Sequence, residues 1–109
     1  MTRTVFKICG RDEWRLAENA GTYSGNADDA RDGFIHLSAA DQVAGTLARH
    51  YAGRDDLLIV SVDASALGEA LKWEPSRGGA LFPHLYGDLP LAAVTEVAAI
   101  AAPDDGSGA

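Results

Sequence analysis

Apolar and polar positions alternate from the start of the chain. Thr4-Val5-Phe6-Lys7-Ile8-Cys9 is β-branched and aromatic, which predicts a first strand broken by Gly10. From Arg11 to Ala20 the period lengthens. Trp14, Ala17 and Ala20 fall near one face with Leu16 beside them, which predicts a helix closed by Gly21. Trp14 reads as a core anchor. Gly21 to Asp32 is polar and rich in Gly, Asn, Asp and Ser, which predicts a long loop. Tyr23 is its one large apolar residue; it either pins the loop or lines a pocket.

The most informative stretch follows, Asp32-Gly33-Phe34-Ile35-His36-Leu37-Ser38. Phe34 to Leu37 predicts a short strand with Phe34, His36 and Ser38 on one side. Ser38 with Asp41 resembles a capping box, so a helix is expected from Ala39 with Val43, Leu47 and Tyr51 on its buried face. Gly53 is expected to end it. Leu57 to Val62 is the most hydrophobic run and predicts a central strand buried on both faces. Asp63 is expected to cap one helical turn. Ala70 to Glu74 alternates and predicts another strand, stopped by Pro75. Ser76-Arg77-Gly78-Gly79 reads as a tight turn. Leu81-Phe82-Pro83-His84-Leu85-Tyr86 contains a proline, so it is expected to be an edge, bulged or irregular strand. Leu91 to Ala101 predicts a last strand, and 103–109 a disordered tail. The expected architecture is a single α+β domain over 1–102, with a mixed or split antiparallel sheet and two main helices.

Composition narrows the function. The chain has 109 residues, enough for one core, and 47% of them are hydrophobic, which is not a disordered composition. Sixteen acidic against 9 basic residues, a net charge of -7, argue against an extended nucleic-acid face. A small anion held by a local arginine is still compatible. The single Cys9 cannot form an internal disulfide or a thiolate zinc cage, and no metal is expected. No long apolar run opens the chain or spans a bilayer, so a soluble cytoplasmic protein is expected.

Both histidine segments place a histidine in a short apolar run with a hydroxyl two residues on, Ser38 after His36 and Tyr86 after His84. They are expected to lie together as the floor of one site. Two histidines suit acid–base work near neutrality, with His36 and His84 as the catalytic candidates. His36 reads either as such a residue, beside a helix start whose N–H groups can bind a ligand, or as a satisfied core histidine. Arg77 can hold a phosphate or carboxylate, and Gly78 and Gly79 let backbone N–H groups approach a ligand. Ser38, Tyr23 and Tyr86 complete the expected ligand-binding set. Ser38 also reads as a helix cap, and Arg77 as a solvated turn residue.

The chain resembles the bacterial family known as domain of unknown function 952. The matching residues are Tyr23 with its loop, Gly33-Phe34-Ile35-His36-Leu37-Ser38, Gln42, Arg77-Gly78-Gly79 and Phe82-Pro83-His84-Leu85-Tyr86-Gly87, within about Thr4 to Ile100. The resemblance implies a small α+β fold similar to the ADP-ribosyltransferase superfamily, and makes NAD a ligand to consider. That superfamily places a histidine on a core strand, then a small residue and Ser or Thr. His36-Leu37-Ser38 is similar, with Leu37 in place of the small residue. Tyr86 or Tyr51 would stack on nicotinamide, and Glu96 is the late glutamate. The related RNA 2′-phosphotransferases use histidine and arginine, nearer to His36, Arg77 and His84. The implied function is a pocket for a ribose- or phosphate-bearing small molecule, with ADP-ribosyl or phosphoryl transfer as its chemistry. The alternatives are a non-catalytic nucleotide or anion module, a two-histidine phosphoesterase, for which His84-Leu85-Tyr86 lacks the expected Ser or Thr, and a structural role for both histidines.

Overall fold

Residues 3–101 are described by a computed structural model, apart from the side chain of Arg77. The end of the expected domain and the expected 103–109 tail lie outside the described residues. Strand β1 (Thr4–Gly10) leads into helix α1 (Arg11–Ala20), then β2 (Thr22–Tyr23), α2 (Ala27–Asp32) and β3 (Ile35–His36). A 3-10 turn, Ala40–Gln42, opens α3 (Val43–His50). Strands β4 (Leu57–Asp63), β5 (Leu71–Pro75), β6 (Leu81–Leu85), β7 (Leu89–Pro90) and β8 (Val94–Ile100) follow.

Two three-stranded sheets result, in the orders β1-β4-β8 and β3-β6-β5, with β2 and β7 paired separately. Every one of these pairings is antiparallel. A backbone bridge links the two larger sheets where Phe6 and Ser38 exchange both hydrogen bonds at 2.8 Å. The architecture is therefore an α+β domain with a split antiparallel sheet.

Alternation along β1 divides the core. Val5 and Cys9 join Trp14, Ala17, Val60, Val62, Ile35 and Leu85 in the main cluster. Ile8, from the other face, joins Leu57 and Leu47 of α3, with Val43 and Tyr51 against them. Strand β4 lies between β1 and β8 and contributes to both clusters, which is why its sequence is apolar almost throughout.

Four expectations are corrected. The polar stretch from Gly21 to Asp32 is not a continuous loop; it contains β2 and α2. Ser38 does not cap a helix. Its backbone is spent on the Phe6 bridge, and its hydroxyl shares a hydrogen bond of 3.1 Å with Thr46 Oγ1. The cap lies one residue on, where Gln42 Oε1 accepts from the Ala39 N–H at 2.9 Å. Leu16 is 70% exposed rather than packed beside Trp14. Finally, β6 is the middle strand of its sheet despite Pro83. The Pro83 carbonyl accepts from Leu37 N, so its nitrogen faces the β3 side, at the end of that ladder, and not β5. The missing N–H therefore costs no bond to β5.

Candidate functional site

The site is built from a helix start. Asn26 Oδ1 accepts from Asp29 N, and Asp29 Oδ2 accepts from Asn26 N, each at 2.9 Å. This reciprocal box starts α2 and holds the Asp29 carboxylate in place. Lys7 reaches it from β1, on the face shared with Val5 and Cys9. Lys7 Nζ donates to Asp29 Oδ2 at 2.9 Å, to Oδ1 at 3.2 Å and to the His36 carbonyl at 3.1 Å. Lys7 and Asp29 are only 2% and 3% exposed. Asp29 Oδ1 also accepts from His36 N at 3.0 Å and lies 2.6 Å from His36 Nδ1. One carboxylate thus ties β1, α2 and β3 together.

His36 Nε2 lies 2.9 Å from Asp32 Oδ2, so a carboxylate stands at each ring nitrogen. Carboxylates only accept, so both contacts are hydrogen bonds at once only in the doubly protonated ring.

His84 is the cross-strand partner of His36, with ring centroids 5.8 Å apart. Its Nδ1 lies 2.8 Å from Glu74 Oε1 on β5, and Tyr86 donates its hydroxyl to the same oxygen at 2.7 Å. Phe34 stacks on the His84 ring at 4.0 Å. The Glu74 contact fixes the proton of neutral His84 on Nδ1 and leaves Nε2 as the basic nitrogen.

Electrostatics follow these contacts. Burial alone would push the Asp29 carboxyl up. The His36 hydrogen bond, the Lys7 charge and the His36 N–H outweigh it and bring the carboxyl down to about 2, from 3.8. The Tyr86 hydroxyl, then His84, hold Glu74 below its usual range, and Glu74 in return raises Tyr86. Burial, then the Glu13 charge, raise Tyr23, whose hydroxyl donates to Glu13 Oε2 at 3.0 Å. Because the folded state depresses Asp29, its stabilisation is present above pH 4 and is lost as pH falls toward 2. The shift is worth roughly 2.5 kcal/mol. Urea midpoints measured from pH 5 to pH 2 should therefore fall, and should fall less steeply in Asp29→Asn.

A cleft of about 870 Å³ runs along the open side of β1. His36, Ser38, His84 and Phe82 line one end; Glu13, Tyr51 and Arg54 line the other, with Lys7 and Tyr23 between. The two histidine segments therefore meet at one cleft. Tyr23 and Ser38 line it as well. Gly78 and Gly79 do not: they sit exposed with φ of 65° and 81° in the Arg77–Gly79 turn, although the adjoining Ser76 does line it. Tyr86 is 41% exposed and meets the site through Glu74 and through the Phe34 ring, 5.3 Å away. Glu96 is exposed on β8, outside the cleft. Sequence reasoning missed Lys7, Asp29, Asp32 and Glu74. The signals were Lys7 on the face of Val5 and Cys9, and Asn26 spaced three residues before Asp29.

The fold and cleft define a small α+β domain whose two antiparallel sheets part beside a histidine pair. A family model described as "Protein of unknown function (DUF952)" matches residues 8–97, and the chain belongs to that family. The crystal structure of protein CC0527 from Caulobacter crescentus superposes with a TM-score of 0.90 at 47% identity, covering 94% of this chain and 90% of that one. The solution NMR structure of CC0527 gives a TM-score of 0.80 at 47% identity, covering 89% and 84%. No curated protein matches. Among the described residues no helix is long and apolar enough to cross a membrane.

Proposed function

We propose that the cleft along β1 binds a small molecule bearing a ribose or similar polyol, and that His84 is its acid–base group. The observation that carries this reading is the cross-strand pair His36 and His84 at one cleft, each with Nδ1 against a carboxylate. The two rings take different roles. His36 has both nitrogens engaged, so it positions. His84 keeps Nε2 for a ligand proton. The hydroxyls of Ser38 and Thr46 beside them suit a sugar edge. A phosphate is accommodated less well by the cations of the lining, because Lys7, Arg31 and Arg54 each already pair with a carboxylate. The Arg77 turn, next to Ser76, is the anion-binding candidate.

The split sheet and the His36-Leu37-Ser38 strand support a likeness to ADP-ribosyltransferases, with NAD or ADP-ribose as ligand. The place of Glu96 outside the cleft makes the histidine–arginine pattern of the RNA 2′-phosphotransferases the nearer comparison. NMR titration with NAD, ADP-ribose and a cyclic nucleotide tests the proposal. Shifts should cluster at His36, Ser38 and His84 for the ribose-bearing ligands. His84→Ala should keep binding within a few-fold and lower any turnover by about 100-fold or more. Binding without turnover in the unmodified chain assigns a non-catalytic module. Shifts elsewhere, or none at millimolar ligand, overturn the proposal.

A further inference from the structure

The cleft has a polar feature in its wall that belongs to the backbone. Strand β1 pairs with β4 in unbroken register from Thr4 to Gly10. In an antiparallel ladder, alternate residues turn both backbone groups toward the partner strand, and those between turn both away. Phe6 turns away from β4, because its N–H and C=O both bond Ser38 at 2.8 Å. Ile8 and Gly10 must then turn the same way. Their contacts agree: the Ile8 carbonyl accepts from the Tyr51 hydroxyl at 3.2 Å, and the Gly10 N–H donates to Glu13 Oε1 at 3.2 Å. Tyr51, Glu13 and Ile8 itself all line the cleft.

Of the outward groups from Phe6 to the Gly10 N–H, only the Ile8 N–H has no protein acceptor among the described residues. Ile8 is 3% exposed. A buried backbone donor left without a partner is rare and costly, and one that faces a cleft is satisfied by whatever enters it. The neighbouring carbonyl is already taken by Tyr51, so the edge offers a single donor. That is too little for an added strand, which needs several donors and acceptors in succession. It suits one carbonyl oxygen.

We infer that the Ile8 N–H is a ligand-orienting donor, and that the cleft takes a molecule with an amide or lactam carbonyl at the Ile8–Tyr51 end. The inference deepens the proposed function and rests on the cleft being a ligand site: the polyol lies at His36 and His84, and the carbonyl-bearing ring lies further along β1. The rings of Tyr23 and Tyr51 supply apolar walls for such a ring.

An ester in place of the Lys7–Ile8 peptide bond, made with the α-hydroxy analogue of isoleucine, removes this N–H alone. The same change at position 6 removes the N–H that holds Ser38. Both esters weaken one carbonyl of the β4 ladder, so their difference isolates the N–H. The position-8 ester should melt at a higher temperature than the position-6 ester. It should bind uridine about tenfold more weakly than the unmodified chain. Affinity for methyl β-D-ribofuranoside, which has the sugar without a carbonyl, should not change. Uridine should also shift the Ile8 amide signal in the unmodified chain. Unchanged uridine affinity in the position-8 ester overturns the inference and leaves the polyol reading standing. A shift of the Ile8 amide with free uracil, with no response of either histidine to methyl ribofuranoside, supports the inference and overturns the polyol reading. No Ile8 shift with uridine or uracil at millimolar concentration overturns the inference.

Discussion

Asp29→Ala should lower the unfolding free energy by about 3–5 kcal/mol, the range for breaking a buried ion pair from one side. The variant removes the acceptor of Lys7 Nζ, of both His36 nitrogens near it and of Asn26 N. Lys7 is then left as a buried cation with one carbonyl partner, the His36 oxygen at 3.1 Å. Much of the cost is this stranded charge rather than the pair itself. Lys7→Met added to Asp29→Ala should therefore recover part of the loss, although each change alone destabilises. Thermal and urea unfolding of the single and double variants measure the coupling. A cost near 1 kcal/mol for Asp29→Ala would mean that water reaches the pair, and that the carboxylate does not tie the sheets together.

Gly25→Ala should cost roughly 2–4 kcal/mol and disturb the same carboxylate from behind. Gly25 has φ of 105°, which side chains other than glycine rarely adopt. An added Cβ would lie 2.7 Å from Asp29 Cβ and 3.0 Å from Asp29 Oδ2. Neither atom can yield, because the capping box and Lys7 hold the carboxylate. Gly33→Ala is the control. It also has positive φ, 85°, but its added Cβ meets nothing within 4 Å. It should cost only the backbone term, about 1 kcal/mol. Equal losses in the two variants would show that Gly25 is required for its dihedral alone and not for its closeness to Asp29.

Both results concern residues that hydrophobic patterning could not find. The elements that alternate or repeat over several residues were legible: β1, β4, β5, β8, α1 and the apolar face of α3 lie near their expected places. The pairing of His36 with His84 was legible as two similar short apolar segments. Helix α2 was not, because Ala-Asp-Asp-Ala-Arg-Asp has no apolar stripe and is held by its cap and by Asp29. Lys7 reads as a solvent-facing residue only if its two neighbours in the period, Val5 and Cys9, are ignored. Ser38 misled because Ser-x-x-Asp and Ala-x-x-Gln are offset by one residue, and the backbone bridge to Phe6 decided between them. Pro83 misled because a proline harms a central strand only on the side where its N–H was needed. The open Ile8 donor follows from ladder register, which no single stretch of sequence carries.

The Lys7–Asp29–His36 network makes the residues that shape the cleft the same ones that join its walls. A library screened only for soluble expression would therefore retain Lys7, Asp29 and Gly25, with no ligand present at any stage. Any invariance at those positions among relatives would report a requirement of assembly. Selection by a ligand would be visible at residues that line the cleft yet join little of the framework, such as Thr46, Ser76 and the Nε2 side of His84.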